Sequence, residues 1–318
     1  MHAILDDIQP VNFHAGEQAR RYLDTLTKPP GSLGALETLA IQLSAITGEL
    51  KPSVIPPAVI VFAADHGVAA EGVSAFPQAV TAQMVANFAQ GGAAVNVFAR
   101  QIGARIEVVD VGVVSDITAA GVVSAKVSRG TANMAVEDAM QPGQASEAIN
   151  AGVSAVERAI KAGAKCLIVG EMGIANTTAS SAMLAVLTGE PVASLVGAGT
   201  GIDPQQLTYK VAVIERAIAA RNADSQAPLE VLTKLGGLEI AAMTGAYLAA
   251  AAHRLPVIVD GFIATVAALT ACRMCPAVRG YGHAARRGQR RGASVSLAAG
   301  GHSDDGGNGH FRKCRCQR

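Results

Sequence analysis

The chain has 318 residues with a formal net charge of +1, half of them hydrophobic, and a mean hydropathy of +0.31. That length suits one α/β domain with a small appendage, and aromatics at 3% with no Trp leave little for a base-stacking nucleic-acid surface. Five cysteines, an odd number, give no disulfide framework; no apolar run nears the ~18 residues of a membrane span, and no signal-peptide pattern opens the chain, which points to a cytoplasmic protein.

The first 50 or so residues read as a helical segment. Five apolar runs follow, each ending in a glycine or an acid: Ala58–Ala64 into Asp65-His66-Gly67, Ile106–Val109 into Asp110-Val111-Gly112, Leu167–Val169 into Gly170-Glu171, Ser194–Val196 into Gly197-Ala198-Gly199-Thr200-Gly201, and Val257–Val259 into Asp260-Gly261. Helical patterns lie between and after them, over Ala145–Ala162, Ala179–Leu187, Pro204–Ala219, Glu239–Ala252 and Ile263–Met274. Alternation of this kind predicts an α/β fold, a Rossmann-like parallel sheet with helices on both faces, plus a smaller helical part from the N-terminal segment. Ligands bind such sheets outside the carboxyl ends of the strands, so Asp65, Asp110, Glu171, Gly197 and Asp260 are expected along one edge.

The run from Leu167 to Thr178 is the most informative. A short β-branched strand breaks into a loop with two glycines, Gly170 and Gly173, after which Asn176, Thr177 and Thr178 can cap a helix. Free backbone N–H groups at such a helix start suit a phosphate. Glu171 would repel a phosphate and suits a ribose hydroxyl better. A plain strand followed by a capped helix fits the same residues.

Other signals are weaker. Asp65-His66 reads either as an acid–base pair or as a capped strand end with a hydrogen-bonded histidine. Gly197–Gly201 is a partial dinucleotide fingerprint with its last glycine misplaced. Cys272 and Cys275, with Cys314, Cys316, His283, His302 and His310, count as zinc ligands, but the pairs lack the ordered turns a zinc ribbon needs; neither a metal nor a cofactor is expected. Residues 280–318 carry eight basic side chains against Asp304 and Asp305, a net +6 that leaves −5 for the rest. Glycine and arginine recur there without helical or strand period, and the segment reads as a disordered tail or a frameshifted one, outside a domain spanning 1–279.

Several segments together resemble the nicotinate-nucleotide–dimethylbenzimidazole phosphoribosyltransferases. They are Lys28-Pro29-Pro30-Gly31-Ser32-Leu33-Gly34, Ala64-Asp65-His66-Gly67-Val68, Glu71-Gly72-Val73, Gly91-Gly92-Ala93, Asp110-Val111-Gly112, Arg129-Gly130, the Gly170–Thr178 segment, Gly236-Gly237 with Met243-Thr244-Gly245, and Asp260-Gly261-Phe262. The resemblance implies an enzyme that moves the phosphoribosyl group of nicotinate mononucleotide to dimethylbenzimidazole in cobalamin synthesis, acting as a homodimer without nucleic acid or membrane partners. It implies a phosphate grip from Gly173, Asn176, Thr177, Thr178, Gly197, Gly199 and Lys210, with Glu171 and Asp65 lining the same site. Phe76 and Met84 fall where the benzimidazole slot lies.

The family's general base is a glutamate in a C-terminal Gly-Glu-Gly-Ser/Thr-Gly-like motif, and residues 1–318 contain none. Low activity is therefore expected of these 318 residues, and no catalytic residue is assigned. Two other functions stay open at this point: a catalytically silent nucleotide- or base-binding protein, and a nicotinamide-cofactor oxidoreductase.

Overall fold

A computed structural model of the chain describes residues 2–197, 201 and 203–284. Three helices open it, α1 (His2–Asp6), α2 (Phe13–Asp24) and α3 (Ala35–Thr47), followed by strand β1 (Pro57–Ala64). Helices α4 (Val80–Ala89) and α5 (Ala94–Gln101) lead to β2 (Arg105–Gly112) and β3 (Val122–Ser124). Then come α6 (Gln144–Lys161), β4 (Cys166–Met172), α7 (Asn176–Thr188), α8 (Val192–Leu195), α9 (Pro204–Arg221), α10 (Pro228–Leu235) and α11 (Leu238–Ala252). Strand β5 (Val257–Val259), α12 (Phe262–Met274) and β6 (Gly282–Ala284) complete the described chain.

The six strands form one sheet in the order β3-β2-β1-β4-β5-β6, and every neighbouring pair is parallel. The chain therefore leaves β1 toward one side of the sheet and returns at β4 to build the other. The crevice between the carboxyl ends of β1 and β4 is a topological switch point, the place where open parallel sheets bind ligands.

Alternation along β1 explains the two cores. Ala58, Ile60, Phe62 and Ala64 join one buried cluster, with α6, α7, α11 and α12. Val59, Val61 and Ala63 join the other, under α4 and α5. Helix α11 is buried on all sides from Leu238 to Ala251, as an alanine-rich helix must be to sit at the centre of a domain. Small residues let it meet α6 closely: a Cβ on Gly245 would stand 2.0 Å from the Ile149 carbonyl oxygen, and one on Gly152 would stand 1.8 Å from that of Ala242. Gly245→Ala is accordingly expected to cost about 3 kcal/mol, at the upper end of overpacking, read as a fall in the urea unfolding midpoint.

Four of the five predicted strands are present. Ser194–Val196 is not a strand: Val192–Leu195 makes a single helical turn, because Pro191 starts it and the Ser194 hydroxyl donates to the Pro191 carbonyl. Two strands escaped the sequence reading. In β3 only Val122 and Val123 carry β character, and β6 is Gly-His-Ala, held by its pairing with β5. Strand β4 also runs on through Gly170 and Glu171, which pair with Val61 and Phe62, so Glu171 lies on the strand and not in a loop.

The sheet passes the boundary placed at 279. Tyr281 is buried and its hydroxyl donates to the Gln9 carbonyl at 2.7 Å, while Gln42 on α3 donates to the Gly282 carbonyl. These contacts dock the N-terminal helices on the β5–β6 edge, so the α/β body reaches at least Ala284. Residues 285–318, the rest of the basic tail, lie outside the described residues.

Candidate active site

Polar side chains that the core would otherwise exclude collect at the switch point. Asp65 and His66 follow β1, Glu171 is the penultimate residue of β4, Asn176 and Thr177 begin α7, Lys210 comes from α9, and Glu239 is the second residue of α11. Asp65, His66, Asn176, Lys210 and Glu239 are all buried.

Each has a definite partner. His66 Nε2 donates to Glu239 Oε1 at 2.6 Å, and both side chains are essentially inaccessible. Asn176 Nδ2 donates to Glu171 Oε2 at 2.5 Å. Lys210 Nζ donates to Thr177 Oγ1 at 2.7 Å. The Val114 N–H donates to Asp65 Oδ2 at 2.8 Å, tying the strand end to the loop after β2. The Ile174 N–H donates to Thr81 Oγ1 at 3.1 Å, which fixes the start of α4 against the turn that follows β4.

Burial sets the charges. Desolvation raises the Glu171 carboxyl to about 7, with Glu239 adding to the rise and Asn176 and His66 opposing it. Burial would lower the pKa of His66, but Glu239 first, then Asp65 and Glu171, lift it above its ordinary value. Desolvation lowers the Lys210 ammonium to about 8. It raises Asp65 above the ordinary carboxylate value, against the Val114 N–H and the nearby Thr81 hydroxyl.

The helix start differs from the expected cap. Ala175 holds the N-cap position with φ 73° and no side chain caps α7. Asn176 turns instead to Glu171 and Thr177 to Lys210, while the buried Thr178 hydroxyl has no partner among the described residues. Gly173 is needed for closeness to protein: its Cβ would stand 2.5 Å from the Ala64 carbonyl oxygen and 3.3 Å from Glu239 Oε1.

Gly197 follows the α8 turn and not a strand, so the parallel-sheet argument does not bring it to the edge, and Gly199 lies outside the described residues. The partial dinucleotide fingerprint thereby loses the strand it needs, and the oxidoreductase reading loses its support. Asp110 serves the fold, with Oδ1 accepting from the Val113 N–H and Oδ2 paired to Lys126. Asp260 follows β5 on the same edge. Phe76 is 53% exposed beside Pro77, and Met84 is half-buried on α4 against the second core. Cys272 and Cys275 are free thiols at the end of α12; the remaining cysteines and histidines counted with them as zinc ligands, apart from His283 on β6, lie outside the described residues.

Glu239 is the group that sequence reasoning missed. In the sequence it only opens the helical pattern Glu239–Ala252, and an acid in the first turn of a helix is favoured by the dipole alone. The available signal was Gly236-Gly237 just ahead of its helix, since paired glycines before a helix mark a close approach.

Among the described residues no helix is long and apolar enough to cross a membrane, and no group of three His, Cys, Asp or Glu could hold a metal ion. The model of a family described as phosphoribosyltransferase matches residues 8–302, past Arg279. The nicotinate-nucleotide–dimethylbenzimidazole phosphoribosyltransferase of Chloroflexus aggregans is 50% identical over 289 residues, covering 91% of this chain and 82% of that one. The enzyme of the same name from Roseiflexus castenholzii is 51% identical over 282 residues, 88% of this chain and 79% of its own. The crystal structure of CobT from Thermus thermophilus superposes with a TM-score of 0.82 at 46% identity, covering 85% of this chain and 81% of that one. With residues 8–302 matched by the family model, about half of the aligned residues identical to those of the two enzymes and the fold shared with CobT, the chain belongs to this phosphoribosyltransferase family.

Proposed function

We propose that the chain transfers the 5-phosphoribosyl group of nicotinate mononucleotide to 5,6-dimethylbenzimidazole, giving α-ribazole 5′-phosphate and nicotinate, as a cytoplasmic homodimer. The observation that carries this reading is Lys210. It is 1% exposed, its ammonium meets the Thr177 hydroxyl, and it forms no ion pair among the described residues. A dianionic phosphate at the start of α7 supplies the missing counter-charge, next to a helix N-terminus that favours it.

The chemistry asks little more. The glycosidic nitrogen of the nucleotide is a pyridinium, so the C1′–N bond breaks with the electron pair returning to the ring, and no general acid is required. One benzimidazole nitrogen bonds to C1′ from the opposite face while the other gives up its proton. Holding the two rings in line on either side of C1′ is the main task, and Glu171 facing a ribose hydroxyl serves it. In this reading Gly173, Asn176, Thr177 and Thr178 surround the phosphate, Gly197 and Gly199 contribute to the same grip, Asp65 lines the site, and Phe76 and Met84 flank the benzimidazole.

Incubating excess protein with both substrates for hours should yield α-ribazole 5′-phosphate and nicotinate in equal amounts by mass spectrometry. Absence of product together with absence of nucleotide binding would refute the reading. Lys210→Ala should weaken nicotinate mononucleotide at least tenfold and leave nicotinate and free dimethylbenzimidazole nearly unchanged by calorimetry; equal weakening of all three would assign Lys210 to the fold. Nucleotide affinity should rise as the phosphate takes its second charge near pH ~6. It should fall again above about 8, as Lys210 loses its proton. The dimer is checked by a sedimentation mass of twice 32.2 kDa.

A further inference from the structure

No step of the proposed transfer uses His66 or Glu239, yet two segments of the chain are shaped around them. A Cβ on Gly237 would stand 2.3 Å from His66 Cε1 and 2.7 Å from Glu239 Oε2, and one on Gly173 would stand 3.3 Å from each side chain. The segments entering α11 and leaving β4 are thus trimmed to glycine where they pass the pair. Neither His66 Nδ1 nor Glu239 Oε2 has a hydrogen-bond partner among the described residues. Burying two charges at this cost gives less stability than apolar packing of the same volume, so the pair is poorly explained as scaffolding.

Glu171 stands one strand away, paired in register with Phe62 of β1. Every element around it presents a polar group. Asp65 and His66 come from the end of β1, Glu239 from α11, Asn176 from α7 and, one residue on, Thr177 with Lys210 of α9. Asp110 on β2 is taken up by Lys126, and Asp260 follows β5.

We propose that His66 and Glu239 are positioning residues for Glu171: a buried pair of opposite charges, locked by Gly173 and Gly237, that determines whether Glu171 meets the ribose hydroxyls as a carboxylate or as a carboxylic acid. This rests on the reading above, in which Glu171 faces the nucleotide. The carboxyl is balanced for such control, since burial brings it to about 7 and the two members of the pair push it in opposite directions. Glu239 favours the acid form and His66 the carboxylate.

The test is a pH titration of the full chain by carboxyl NMR with 13C-labelled glutamate side chains, the Glu171 resonance being assigned by its loss in Glu171→Gln. The wild-type midpoint is expected near 7. Glu239→Gln should lower it, and His66→Asn should raise it, each by roughly one pH unit. The double variant removes both charges and should fall between the two. A structural role alone predicts no such opposition. Single variants that shift the midpoint in the same direction, or leave it in place, overturn the proposal. If His66→Asn does not fold, a midpoint in Glu239→Gln that is unchanged or raised overturns it equally. The titration needs no turnover, so absent nucleotide binding with opposed shifts refutes only the transferase reading, and nucleotide binding with a static midpoint refutes only this one.

Discussion

Purified as its 318 residues, the protein is expected to make α-ribazole 5′-phosphate about 10²–10⁴-fold more slowly than CobT from Thermus thermophilus under the same conditions, the usual cost of losing a general base. The resemblance places that base in a C-terminal glycine-rich motif, and residues 1–318 do not contain it. Asp304 and Asp305 lack the motif's context and lie outside the described residues. The Lys210 grip on phosphate is independent of the base, so KM for the nucleotide should stay in the relatives' range while kcat falls. Steady-state and single-turnover rates at matched substrate check both. Sequencing the DNA around codons 279–282 tests the frameshift expectation directly, and a restored frame should encode a Gly-Glu motif. Full activity of the 318-residue chain would contradict the expectation and move the base to Glu171, Asp65 or Asp260.

Replacing Glu171 by Gln should make the unliganded protein more stable while removing part of its site. The folded carboxyl titrates at about 7, above its ordinary value of 4.5. Between those values the folded chain keeps a proton that the unfolded chain has released, so stability falls as pH rises through the window and levels off above it. Glutamine pays none of this and keeps an amide oxygen for Asn176. The variant should match wild type within about 1 kcal/mol at pH 5 and exceed it by about 3 kcal/mol at pH 8, measured by urea unfolding. His66 also titrates, and the stability it adds is lost as pH rises through its raised folded pKa, but it does so in both proteins. A variant less stable than wild type at pH 8 would show that Glu171 is ionised and well solvated in the fold.

Four strands were legible in the sequence because each is a β-branched or apolar run closed by a glycine or an acid, as with Ala58–Ala64 before Asp65. Helices α6, α9, α11 and α12 were legible from period and length. The cap of α9, where Asp203 and Gln206 exchange hydrogen bonds around Pro204, appears only in the structure. Strand β6 was not legible, since Gly-His-Ala has no strand character apart from its partner. Ser194–Val196 misled for the opposite reason: three residues of strand composition follow a proline that starts a helical turn. Of the candidate residues named from the sequence, Glu171 with Asn176 and Thr177 with Lys210 meet in pairs. The His66–Glu239 pair was invisible because its members lie far apart in the chain, and only folding α11 against β1 brings them together.

A crystal structure of the protein with nicotinate mononucleotide tests the central claim most directly. The account predicts the 5′-phosphate at the Lys210 ammonium and the Thr177 hydroxyl, the ribose beside Glu171, and the pyridinium ring over the carboxyl ends of β1 and β4. A nucleotide bound elsewhere, or one whose phosphate lies in solvent while Lys210 keeps only Thr177, would contradict it.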